Sequence, residues 1–108
     1  MISKTFKIPI YRHRVTLIQT ESFDEIIKKY NIVGVDEKTG GFHFIEDNRM
    51  SIVVSDKISH GDLAHECLHC INSIFYSIGY EPKTNNDEPQ AYLLSWLIDK
   101  CYNYIKIK

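Results

Sequence analysis

A chain of 108 residues, 44% of them hydrophobic, is long enough to bury one modest core and too short for two domains, so residues 1–108 are expected to form a single unit. Thirteen basic and fourteen acidic residues are mixed along it to a formal charge of −1, which leaves no electrostatic footprint for a phosphate backbone or an anionic membrane; the short Lys106-Ile107-Lys108 end is too small to change that. Three cysteines cannot make a disulfide framework, and Met1–Ile10 has no secretory apolar core, so a soluble intracellular protein is expected, with no nucleic-acid or membrane partner.

The first half reads as β-rich. An extended piece around Phe6–Tyr11 carries Pro9, which argues for an edge position, and Val15-Thr16-Leu17-Ile18 has the β-branched content of a strand. Ser22-x-x-Glu25 is a capping-box pattern, and Phe23, Ile26, Ile27 and Tyr30 recur at helical spacing, which predicts a short helix from Phe23 to Tyr30. Ile32–Asp36, a Lys38-Thr39-Gly40-Gly41 turn, Phe42–Ile45, an Asp47-Asn48 turn and Ser51–Ser55 then predict an antiparallel meander.

Two helices follow. Ser59-x-x-Asp62 is an N-cap signal, Gly79 is a stop, and Ala64, Leu68, Ile71, Phe75 and Ile78 form one apolar stripe between them. The other side of this helix carries Asp62, His65, Glu66, His69, Asn72, Ser73 and Tyr76. After a polar connection, Asp87-x-x-Gln90 can cap a last helix, with Pro89 tolerated in its first turn. Ala91, Leu94, Ile98, Cys101 and Ile105, widened by Leu93, Trp96 and Leu97, predict that this helix is mostly buried.

The polar face of the first of these helices holds the sharpest motif, His65-Glu66-Cys67-Leu68-His69. Imidazoles four apart on a helix have Cβ atoms about 5–6 Å apart on one face. Both can therefore reach one Zn²⁺ at about 2.0–2.1 Å. Glu66, adjacent to the first ligand, falls beside the metal, where a carboxylate can take a proton from water. Eighteen residues lie between His69 and Glu88, which begins the last helix and can supply a third ligand, leaving the fourth position open as in catalytic zinc sites. The bland alternative is a pair of surface histidines on a polar helix face.

The neighbouring candidates divide in the same way. Asp87 competes with Glu88 but suits a helix cap. His60 lies about 140° off the metal face and is expected to be solvent-exposed. His43, on a strand, projects into the cleft or alternates outward. Tyr92 shares the face of Glu88 and either polarises a carbonyl or packs as an aromatic. Tyr76 sits about 10 Å up the axis from His69, too far to touch the metal. Cys67 and Cys70 make a Cys-x-x-Cys, but they lie about 200° and 140° around the helix from His65, as small buried side chains would; a thiol redox pair is the alternative.

On these residues the chain resembles the gluzincin zinc metallopeptidases, whose third ligand is a Glu from a following helix; the interval from His69 to Glu88 matches that of the gluzincin aminopeptidases, and Asn86-Asp87-Glu88-Pro89-Gln90-Ala91-Tyr92 resembles a loose version of their second helix. The metzincin pattern is excluded, because Asn72 and Phe75 stand where it needs Gly and His. The small size and the order Ile8-Pro9-Ile10-Tyr11, meander, His-Glu-x-x-His helix, Gly79-Tyr80 and Glu88 with Ala91-Tyr92-Leu93 resemble more closely the compact zincin-like metallopeptidases of phages and prophages. The motif that holds a substrate amino terminus in the aminopeptidases is missing.

The resemblance implies an α+β, minimal zincin-like fold, with a small antiparallel sheet packed on the metal helix and a second, C-terminal helix. It implies Zn²⁺ as cofactor, His65, His69 and Glu88 as ligands, Glu66 as general base, and hydrolysis of a peptide or protein substrate. That substrate would pair with an edge strand, Ser51–Ser55 or Phe42–Ile45. The implied setting is the cytoplasm of a bacterial host, or a virion. A catalytically silent metal-binding structural or interaction protein on the same scaffold is the rival, and at this size a protein partner or second copy would complete the cleft.

Overall fold

The computed structural model describes residues 1–9, 11–35, 39–46, 49–105 and 107. Its elements are β1 (Ile2–Lys7), β2 (Arg14–Thr20), α1 (Asp24–Tyr30), β3 (Gly41–Glu46), β4 (Arg49–Ser55), α2 (His60–Ser77) and α3 (Glu88–Tyr102). β2 and β4 are buried along nearly their whole length, as strands covered on both faces must be.

The architecture is α+β, with one four-stranded sheet in the order β1-β2-β4-β3. The sheet is mixed rather than antiparallel. β1 pairs with β2 and β3 with β4 in antiparallel fashion, but β2 runs parallel to β4, with Leu17 opposite Ile52. A parallel pair needs a long crossover. Residues 21–48 supply it, carrying α1 across one face and β3 along the edge. Ile32–Val35, expected to begin a meander, forms no strand. Asp36, Lys38 and the Asp47-Asn48 turn lie outside the described residues.

Strand alternation gives each face its own core. Val15, Leu17, Met50, Ile52 and Val54 pack with Leu63, Cys67, Cys70, Ile71, Ile74 and Phe75 of α2 and Leu97 and Cys101 of α3. On the other face Ile18 and Val53 meet Ile26 of α1, with Phe23, Tyr30, Phe42 and Phe44 around them. β1 is the edge strand that Pro9 suggested, although it ends at Lys7, before the proline. Ser51–Ser55 lies inside the sheet and has no free edge, so of the two segments expected to meet an extended peptide only β3 is at an edge.

The buried side of α2 is rotated from the expected stripe. Leu68 and Ile78 are 40% and 41% exposed, whereas Leu63, Cys67, Cys70 and Ile74 are buried. Cysteine behaves as a small hydrophobe, and counting Cys67 and Cys70 as apolar moves the stripe toward the observed face. α3 is half-buried rather than mostly buried, with only Leu97 and Cys101 fully inside and Ala91 exposed.

α2 and α3 form an antiparallel hairpin. Gln90 donates to Asn72 Oδ1 at one end, and at the other His60 bonds to the Tyr102 hydroxyl. α3 lies toward the β1 side, where Trp96 and Tyr104 pack on Phe6 at ring-centroid distances of 5.9 and 6.4 Å. No helix among the described residues is long and apolar enough to cross a membrane.

Candidate metal centre

α2 begins where the sequence marks it. The Ser59 hydroxyl accepts from the Asp62 backbone N–H at 3.1 Å, and after its last turn Gly79 takes the left-handed φ of +80° that ends such a helix. The eighteen-residue helix that results holds His65 and His69 rigidly one turn apart. Both are exposed, and their Nε2 atoms lie 3.1 Å from each other.

That separation has a direct chemical reading. Two Zn–N bonds of about 2.0–2.1 Å ending on atoms 3.1 Å apart subtend roughly 95–100°, close to a tetrahedral angle. The separation is one that two nitrogens on a single cation can have. Without one, a neutral ring can donate its Nε2–H to the lone pair of the other.

Glu66 belongs to the same turn but not to the same exposure. Only 6% of it is accessible, and its Oε1 lies 3.0 Å from His43 Nδ1. On β3, Phe42 and Phe44 point to the α1 side, so His43 points to the α2 side, in register with Ile52 of β4. The His43 ring then stacks on that of His69, with centroids 4.8 Å apart and planes 22° from parallel. The question left open for His43 is settled toward the cleft.

Glycine makes this approach possible. A Cβ on Gly41 would stand 2.9 Å from the Val53 carbonyl oxygen and 3.3 Å from Glu66 Cγ, and one on Gly40 would collide with the Asp62 carboxylate. The Gly40-Gly41 pair, expected as a turn, is instead the place where the start of β3 closes on the first turns of α2. Together with Ile32, Val33, Gly34 and Val35, Gly41 lines an open cleft of about 320 Å³ against His43, His65, Glu66 and His69. Val33, 91% exposed, stands at its mouth.

Glu88 and Tyr92 do not line this cleft; both are exposed on α3. The register of the helical hairpin explains why. Asn72, opposite Gln90, is already three residues beyond His69, and Glu88 is two residues further in the same direction, so at 1.5 Å per residue Glu88 is offset by about 7.5 Å along the axis. The stretch of α3 level with the histidines falls around Leu93–Leu97, which packs into the core. Among the described residues no group of three or more His, Cys, Asp or Glu is gathered closely enough to hold a metal ion. His65 and His69 are thus brought together, Glu66 is placed beside them, and Glu88 is not gathered with them.

His60, Cys67 and Cys70 take structural places, whereas Asp87 makes no side-chain cap bond to α3 and Tyr76 is exposed. His60 is exposed and bonded to Tyr102. Cys67 and Cys70 are fully buried. The Cys67 thiol is pushed strongly up by its contact with the Cys101 sulfur 4.0 Å away and by burial, and burial pushes the Cys70 thiol up to about 12. The thiolate is the reactive form, so these side chains are core residues rather than a redox pair at neutral pH. His43 and the Ile32–Val35 wall were the parts of the cleft that pattern reading did not assign. The two flanking phenylalanines were the available signal for His43, since they fix which way it points.

Comparison with protein-family models, with curated proteins and with solved structures finds no match to this chain.

Proposed function

We propose that this chain is a zinc-dependent, metallopeptidase-like domain in which His65 and His69 hold the metal and Glu66 is the general base for hydrolysis of a peptide bond. The observation that carries this reading is the 3.1 Å Nε2–Nε2 distance on an exposed helix edge, with a carboxylate one residue away at the wall of a cleft. When bound, zinc would lower the pKa of a coordinated water and polarise the scissile carbonyl. The chain's own part is then acid–base and geometric. Glu66 takes the proton of the attacking water on its carboxylate and returns it to the departing amine. Among the described residues β3 is an edge strand, which gives an extended peptide a place to add beside the histidines. The resemblance to compact phage zincins suggests a virion or host protein as substrate.

Support is strongest for the imidazole pair. Glu88 stays in the proposal as the third ligand that the sequence offers, and its contribution is separable: a Glu88→Ala variant with wild-type zinc affinity removes it from the site and leaves the pair. A second reading, a metal-binding interaction protein without turnover, draws support from the burial of Glu66 and its bond to His43, which engages one carboxylate oxygen. Glu66→Gln distinguishes the two. The enzyme reading expects unchanged zinc uptake and loss of peptide hydrolysis by about 100-fold or more, as for removal of a general base. Hydrolysis at the wild-type rate in that variant would contradict it.

A further inference from the structure

We infer that His43 is a positioning residue for Glu66: from the edge strand it donates its Nδ1–H to one carboxylate oxygen and so leaves the other aimed into the cleft. This deepens the proposed function and rests on it.

Burial makes the case for a partner. A carboxylate on a side chain only 8% exposed is costly unless it is hydrogen-bonded, and His43 Nδ1, 3.0 Å from Oε1, supplies that bond. Geometry makes the case for positioning rather than mere satisfaction. His43 is fixed at both ends: its backbone is held in β3 opposite Ile52, and its ring lies on the face of His69. Glu66 is fixed as well, its Cγ lying against the space left by Gly41. Base, histidine and metal-site imidazole therefore form a continuous stack, and the torsion of the Glu66 carboxylate is set by a group on a different element. A general base must meet its proton within hydrogen-bond reach, and a carboxylate free to swing spends little time there.

The bond also dictates a tautomer. A carboxylate accepts only, so the neutral ring must carry its proton on Nδ1, with Nε2 as acceptor. That is a signature independent of turnover.

The decisive set of measurements combines ring nitrogen NMR with two variants of the full chain. Asparagine carries an amide nitrogen at the same branch point as Nδ1 and can donate to Glu66; leucine fills the space and cannot. In the wild-type protein without metal, the His43 ring is expected as the Nδ1–H form, and Glu66→Ala is expected to abolish that preference. With zinc added, His43→Leu is expected to keep zinc affinity within about threefold and to lose about 10- to 100-fold in kcat with little change in KM, the range for removing a group that orients a reacting one. His43→Asn should restore most of that loss. An Nε2–H ring in the wild type, an unimpaired His43→Leu, or a His43→Asn no better than His43→Leu overturns the inference. So does loss of zinc binding in His43→Leu, which would make His43 a ligand. A wild-type protein that takes up no zinc, or takes it up and hydrolyses no peptide, overturns the catalytic reading and this inference with it, whereas failure confined to the His43 variants leaves the catalytic reading standing.

Discussion

The two flanks of α2 are built from the same eighteen residues and do opposite work. Toward α3 and the middle of the sheet the helix presents Leu63, Cys67, Cys70, Ile71, Ile74 and Phe75, all buried and all apolar or sulfur-bearing. Toward β3 it presents Asp62, Glu66 and His69, with His65 beside them, and the opposing surface is cut back to glycine so that polar side chains fit. The first flank can tolerate no unpaired polar group, whereas the second gathers several, His65 meeting His69 and Glu66 meeting His43 of β3. Packing on the apolar side fixes the rotation of the helix, and that rotation turns His65 and His69 to the cleft.

The contrast can be broken from either side. Phe75 is 1% exposed and packs in ring contact with Tyr11 and Tyr80, so Phe75→Ala should destabilise the fold by about 3–5 kcal/mol, read from urea or thermal unfolding. A loss under 1 kcal/mol would mean that the apolar flank does not hold the helix. On the other flank, Gly41→Ala places a methyl 2.9 Å from a backbone oxygen that cannot move cheaply, and a loss of about 1–3 kcal/mol is expected with displacement of Glu66. The same change should weaken hydrolysis more than it weakens zinc uptake.

The buried thiols give a pH test of the apolar flank alone. Their folded values lie above the ordinary 9.0, so above about pH 9 the unfolded chain releases protons that the folded chain keeps. Stability is then full below pH 9 and falls as pH rises, by up to about 1.4 kcal/mol per unit for each thiol. Replacing Cys70 with Ala should flatten that slope. The smallest effect is expected from His65→Ala in protein kept free of metal: an exposed side chain outside the core should change unfolding by no more than about 0.5 kcal/mol. A large loss there would make His65 a structural residue.

Much of this division was legible in the sequence, and its gaps have identifiable causes. Ser59 and Gly79 mark the bounds of α2 because capping and left-handed backbone are local chemistry. The His65–His69 spacing is equally local. The parallel pairing of β2 with β4 is not, since nothing within either strand tells which neighbour it will choose. The stripe through Leu68 and Ile78 departs from the buried face because it follows the larger aliphatic side chains and leaves out Cys67 and Cys70, whose own burial the helical angles do indicate. Glu88 fits its place along the chain, but the register of α2 against α3 is set by contacts such as Asn72–Gln90, which lie between helices. His43 illustrates the same boundary: its face on β3 could be read from Phe42 and Phe44, but its partner Glu66 is 23 residues away and is met only through the packing of helix on sheet.

Zinc titration against a competing chelator, with His65→Ala and His69→Ala alongside the wild type, tests the imidazole pair most directly. The wild-type chain should take up about one equivalent of Zn²⁺, and each substitution should weaken uptake by roughly 100-fold or more, as loss of one of few protein ligands requires. A wild-type protein that takes up no zinc from excess, or variants that bind as tightly as the wild type, would contradict it.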